Sequence, residues 1–151
     1  MNAQPANQND PQQNIELRLR TMRTLWVAMF VSIALYYGLT FFVTPPENTN
    51  PNSMLFLILV IVALSMTLIS FLVKNKLLNQ AIEQQRVQLV QQAYIVALAL
   101  TEVAALLGLL YFFMTGDRYY PILFVIGACG QLLHFPRREH VINASPAISL
   151  R

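Results

Sequence analysis

The residue best placed to do chemistry in this chain is Glu102, a carboxylate inside the otherwise uncharged apolar run AYIVALALTEVAALLGLLYFFM. A charged group near the centre of a membrane span costs about 2.5 to 3.5 kcal/mol on insertion scales, so an acid at this position needs a role or a partner. Apolar surroundings favour the neutral carboxylic acid, which both donates and accepts hydrogen bonds, and which exchanges a proton or holds a cation where water reaches it. Thr101 precedes it. At about 1.5 Å of rise per helical residue, Ser32, Ser65 and Gly127 on the other apolar runs lie about level with Glu102. Depth therefore groups Glu102, Thr101, Ser65 and Ser32 as one candidate site. It is read as a polar tie between helices, a proton or cation site, or an interface to another membrane subunit. No Lys, Arg or His lies at that depth.

A second candidate pair, Gln131 and His134, shares a face near the end of the last apolar run. A histidine there could relay protons, although a side chain at a helix end more commonly bonds to headgroups or water. Cys129 and His134 are five residues apart and do not face one another on a helix, so no metal site is expected from them. The sequon Asn143-Ala144-Ser145 lies on the expected cytoplasmic side and is discounted. There is no phosphate-binding loop, dinucleotide-binding glycine pattern, HExxH or nucleophile elbow. Neither a cofactor nor enzyme chemistry is expected.

The elements that would position these residues follow from composition. Hydrophobic residues make up 56% of the chain and charged ones 11%, against about 25% charged in an ordinary soluble domain. Four uncharged or nearly uncharged runs, residues 24–44, 54–73, 93–114 and 119–135, read as membrane spans, three of them having the roughly 20 residues needed to cross. Pro45 and Pro46 end the first, and Gly116-Asp117-Arg118 ends the third. Residues 1–14, rich in Asn, Gln and Pro, predict a disordered tail. Residues 137–151 predict a second tail. Between the second and third runs, KNKLLNQAIEQQRVQLVQQ lacks Gly and Pro and is rich in helix formers, which predicts a helical hairpin that reverses near residues 79–85. Ala97, Thr101, Ala104 and Gly108, with Gly127 and Gly130, predict faces for close helix approach.

Basic residues set the orientation. Arg18, Arg20 and Arg23 precede the first run, Lys74, Lys76 and Arg86 lie between the second and third, and Arg137, Arg138 and Arg151 follow the fourth, leaving Arg118 alone in the other loops. The positive-inside rule then predicts both termini and the hairpin in the cytoplasm. Trp26, Tyr94 and Phe135 inside, with Phe41, Phe42, Tyr111, Tyr119 and Tyr120 outside, fit interfacial belts. The expected fold is an all-α four-helix transmembrane bundle, in a bacterial inner membrane, with lipid as its first partner. Other membrane subunits or a second copy are further partners, and nucleic acid is not expected.

The string ALALTEVAALLGLLYFF resembles the carboxylate-bearing helix of the rotary ATPase proteolipid subunits, through Glu102, the preceding Thr101, Ala105 and the pair Gly108-Leu109. The resemblance implies that Glu102 binds a transported proton or sodium ion. The glycine-rich partner helix of that family is replaced here by a run without glycine, and its short polar loop by the long hairpin. The whole chain also resembles small bacterial four-helix membrane proteins in which an acid-bearing helix precedes a closing helix ending like Leu133-His134-Phe135-Pro136-Arg137. The expected function is an accessory or structural subunit of a membrane complex. The alternative is a proteolipid-like, proton- or cation-linked component using Glu102.

Overall fold

The computed structural model describes residues 11–44 and 53–145, so most of the predicted N-terminal tail, the loop 45–52 and residues 146–151 lie outside it. Its elements are α1 (Pro11–Leu39), α2 (Ser53–Glu83), α3 (Val87–Thr115), α4 (Pro121–Leu133) and α5 (Arg138–Asn143). All regular structure among the described residues is helical. Three of these helices, α1, α2 and α3, are long and apolar enough to cross a membrane. With 29, 31 and 29 residues, each extends past the predicted span at its hairpin end and reaches about 43 to 46 Å, the thickness of a bilayer with its headgroup layers. The last predicted span is a shorter apolar helix of 13 residues. At about 20 Å it falls short of the hydrocarbon core, because Pro121 starts it late and the chain leaves helical geometry at His134.

The central helix is α3, which packs against each of the other four. Its small residues explain why. Ala97, Thr101, Ala104, Ala105 and Gly108 are all buried, and α4 meets them with its own glycines. A Cβ on Gly127 would lie 3.2 Å from both the Ala105 nitrogen and the Thr101 carbonyl oxygen. On Gly130 it would lie 2.9 Å from Thr101 Cγ2 and 3.0 Å from Thr67 Cγ2. Close backbone approach of this kind is how helices gain dispersion energy where lipid removes the usual hydrophobic drive.

The α2–α3 connection is a hairpin whose reversal occupies Gln84 to Arg86. Arg86 N–H bonds back to Ala81 O at 3.0 Å and Gln85 N–H to Ile82 O at 3.2 Å. This pair of bonds is a Schellman ending, and it demands a left-handed residue, here Gln85 at φ 51°. Around this end Ile15, Leu19, Met22, Leu78, Ala81, Val90, Ala93, Tyr94, Val141 and Ala144 form an apolar cluster. Helix α5 thus packs on the base of α1 and α3, a folded element within the segment read as a tail. An exposed ion pair, Arg138 to Glu16 at 3.0 Å, adds little to that packing.

The glycine contacts make a test. Gly127→Ala forces a methyl against the α3 backbone and should destabilise the protein by about 1 to 3 kcal/mol. Gly38→Ala, with nothing within 4 Å, should leave it unchanged or raise it by up to about 1 kcal/mol. Denaturation in mild detergent would reject this packing if the two variants behaved alike.

Candidate functional site

Glu102 faces α1. Ser32 Oγ lies 2.5 Å from Glu102 Oε1, and the Tyr36 side chain, one turn further along α1, lies near the carboxyl. Ser32 and Tyr36 are four residues apart, so both project from one face of the helix. The serine is committed twice, because its Oγ is also 2.7 Å from the Met29 carbonyl oxygen. A hydroxyl has one hydrogen to give. Glu102 is half-buried, so it is held at the edge of the α1–α3 contact and not sealed inside it.

The other residues grouped with Glu102 by depth are placed elsewhere. Thr101 is fully buried on the α4-facing side of α3, where its hydroxyl donates to the Leu98 carbonyl at 2.8 Å and its methyl packs towards Gly130. Ser65 is exposed and donates to the Ile61 carbonyl at 2.7 Å. Depth alone put Ser65 beside Glu102, whereas the rotation of α2 turns it away. Gly127 does lie at this level, against Thr101 and Ala105.

Near the hairpin end a second polar cluster is assembled from α2, α3, α4 and α5. His134, the residue that closes α4, is fully buried, with Nε2 2.7 Å from Ser70 Oγ and Nδ1 3.4 Å from Lys74 Nζ. Ser70 gives its own hydrogen to the Thr67 carbonyl at 2.6 Å. Its oxygen therefore accepts from His134 Nε2–H, which leaves Nδ1 to accept from the Lys74 ammonium. The order Ser70, His134, Lys74 places a cation where an activated serine would need a carboxylate. Lys74 is itself buried. No carboxylate is within ion-pairing distance of it among the described residues, and its ammonium lies 4.9 Å from the centre of the Tyr94 ring. Phe71 covers the imidazole at 4.3 Å between ring centres.

Gln131 is one turn before His134 and equally buried. Its main-chain carbonyl accepts from Trp26 Nε1–H at 2.8 Å, tying α1 to α4. Its side-chain amide has no protein partner among the described residues. Both members of the predicted pair are thus interior residues, not interfacial ones. Residue type and depth do not single out Tyr36, Ser70, Tyr94 or His140 as site residues, and they give Lys74 only a part in setting orientation. The available signal was helical spacing: Ser32 with Tyr36 and Ser70 with Lys74 are each four apart. Among the described residues no group of three or more metal-ligating side chains converges.

Comparison with models of protein families, with curated proteins and with solved structures gives no match.

His140 on α5 completes the chain of contacts. The Tyr94 hydroxyl accepts from Arg137 N–H at 3.2 Å and lies 2.7 Å from His140 Nδ1, to which it donates when the ring is neutral with Nδ1 unprotonated. Burial pushes the His140 imidazole below its usual 6.5, and the nearby charges of Lys74 and Arg137 push the same way against Glu139. The unfolded chain takes up a proton near 6.5 and the folded one only at lower pH. Docking of α5 should therefore be complete above pH 6.5 and weaken as pH falls through the lowered value. Amide exchange in α5, corrected for its intrinsic pH dependence, should show that loss, and His140→Gln should flatten it. Protection that is independent of pH in the unmodified protein would contradict this assignment.

Proposed function

We propose that this chain is a non-enzymatic, multi-pass protein of a bacterial inner membrane, an accessory or structural subunit of a larger membrane complex. In this reading α4 and its flanks form a fourth span, and both termini and the α2–α3 hairpin face the cytoplasm. The observation that carries the proposal is the engagement of Glu102 by the Ser32 hydroxyl of α1. A carboxyl so occupied ties α1 to α3, a contact worth about 0.6 to 2 kcal/mol between membrane helices. The outer face of α2 supports the subunit reading. Leu57, Ile61, Leu64, Leu68 and Leu72 stand exposed along it, an apolar stripe for lipid or a neighbouring subunit.

One observation favours the second reading, a proton- or cation-linked role. The single hydrogen of Ser32 faces two acceptors, Met29 O and Glu102 Oε1. A protonated Glu102 would resolve the conflict by donating to Ser32 Oγ while Ser32 donates to Met29 O. A carboxyl that carries a proton at the edge of a helix contact is also one that could exchange it.

Orientation is tested by reporters fused at Asn50 and Gln84, which should lie outside and inside; Gln84 outside would overturn the topology. For the site, Glu102→Gln keeps shape and hydrogen bonding but cannot exchange a proton. A structural tie predicts that this variant is nearly silent in stability and in any ion flux, and that Glu102→Leu loosens the fold by about 1 to 2 kcal/mol. Loss of an ion flux or growth phenotype in a well-folded Glu102→Gln variant would favour the second reading instead.

A further inference from the structure

Two grooves run along the hairpin half of α1 and share one edge. The first, of about 600 Å³, is lined by Glu16, Leu17, Leu19, Arg20, Arg23, Thr24 and Val27. The second, of about 440 Å³, is lined by Arg20, Thr21, Thr24, Leu25 and Ala28. In both, Arg20 and Thr24 stand beside aliphatic side chains further along α1, Val27 in the first and Leu25 and Ala28 in the second, and the first also has Leu17 and Leu19 on the near side of its arginines. Beyond Val27 the aliphatic wall continues through Val31 and Leu35, all exposed. The one carboxylate lining the larger groove, Glu16, is bonded to Arg138. Arg20 and Arg23 have no carboxylate partner among the described residues, and Arg23 is steadied from beneath by the Phe135 ring, 5.9 Å from its guanidinium carbon.

We infer that the Arg20–Arg23 edge of α1 is a binding site for an anionic phospholipid, its phosphate held by the two guanidiniums and its acyl chains lying along Val27 and along Leu25 and Ala28. Charge complementarity selects the headgroup. Arginine presents a planar fork of donors that matches phosphate oxygens, and it keeps its charge at any working pH. The aliphatic wall selects a lipid over a free phosphate, because a soluble anion would leave that wall unfilled. The stem of each arginine can lie on the apolar groove while its head stays at the headgroup layer. The inference rests on the membrane reading of α1, and the experiment separates the two.

The chain has a single tryptophan, Trp26, on the turn that follows Arg23. The full protein would be reconstituted in phosphatidylcholine bilayers doped with either phosphatidylcholine or phosphatidylglycerol brominated on the acyl chains. Quenching of Trp26 should be stronger, at equal mole fraction, for the brominated phosphatidylglycerol. A contribution of about fivefold in affinity per arginine is expected at low salt. R20Q/R23Q should abolish the preference, R20K/R23K should keep most of it, and Arg118→Gln at the opposite end should leave it intact. Equal quenching by the two lipids in the unmodified protein would overturn the site, as would a preference that survives R20Q/R23Q. If R20Q/R23Q does not insert, a preference in the unmodified protein that fails to weaken from low to high salt would overturn it as well. Absence of quenching by either lipid would instead reject the membrane placement of α1.

Discussion

Helices in a bilayer gain nothing from hiding apolar surface, so everything in this structure depends on how closely other helices can approach α3. Its two faces solve the problem differently. Towards α4 it presents Thr101, Ala104, Ala105 and Gly108, and the glycines of α4 come down onto that surface with no room for a methyl group. Towards α1, Glu102 is met by Ser32. Adjacent residues on a helix are about a third of a turn apart, so Thr101 and Glu102 serve different neighbours. One helix therefore carries a dispersion contact and a polar contact at the same depth.

The polar side chains inside the bundle follow one rule. Each Ser or Thr hydroxyl there gives its hydrogen to a carbonyl of its own helix, and at Ser70 and Thr40 the oxygen is also offered to another element. Ser70 donates to Thr67 O and accepts from His134, and Thr40 donates to Tyr37 O at 2.6 Å and meets the Tyr120 hydroxyl at 3.0 Å. Each stitches an end of the structure without leaving a donor unpaired. At the α3–α4 turn, Tyr111 donates to Asp117 Oδ2 at 2.8 Å, and Gly116 takes the left-handed conformation that ends α3. Ser32 differs from Ser70 and Thr40, since the partner beyond its helix is an acid that can itself bring or accept a proton. That difference makes the α1–α3 contact the chemically interesting one.

Much of the fold could be read from residue type and spacing, because membrane helices are specified by length and apolar content. The three long helices, the continuity of α2 and α3 beyond the expected spans, the small-residue faces and the approach of Ser32 to Glu102 all follow from such rules. What escaped depends on rotation and on tertiary packing. Ser65 has the right depth and the wrong phase. The hairpin reversal is unmarked because Gln85 takes a left-handed conformation usually left to Gly or Asn. Helix α5 has only six residues, too few for a periodic signal, and is held by tertiary contacts. His134 and Gln131 look interfacial from their position in the chain, yet Ser70, Phe71 and Lys74 of α2 close over His134 and Trp26 of α1 bonds the Gln131 carbonyl. The last helix is shorter than its apolar run because prolines bound it on both sides.

The central claim is that Glu102 couples α1 to α3 through Ser32, and a double-mutant cycle measures that coupling directly. Ser32→Ala, Glu102→Leu and the double variant would be unfolded reversibly in the same detergent. The account predicts that the two substitutions are not additive, with an interaction energy of about 0.6 to 2 kcal/mol. Strict additivity, with the double variant losing the sum of the single losses, would show that the two residues are neighbours without being partners, and the α1–α3 tie would have to be abandoned.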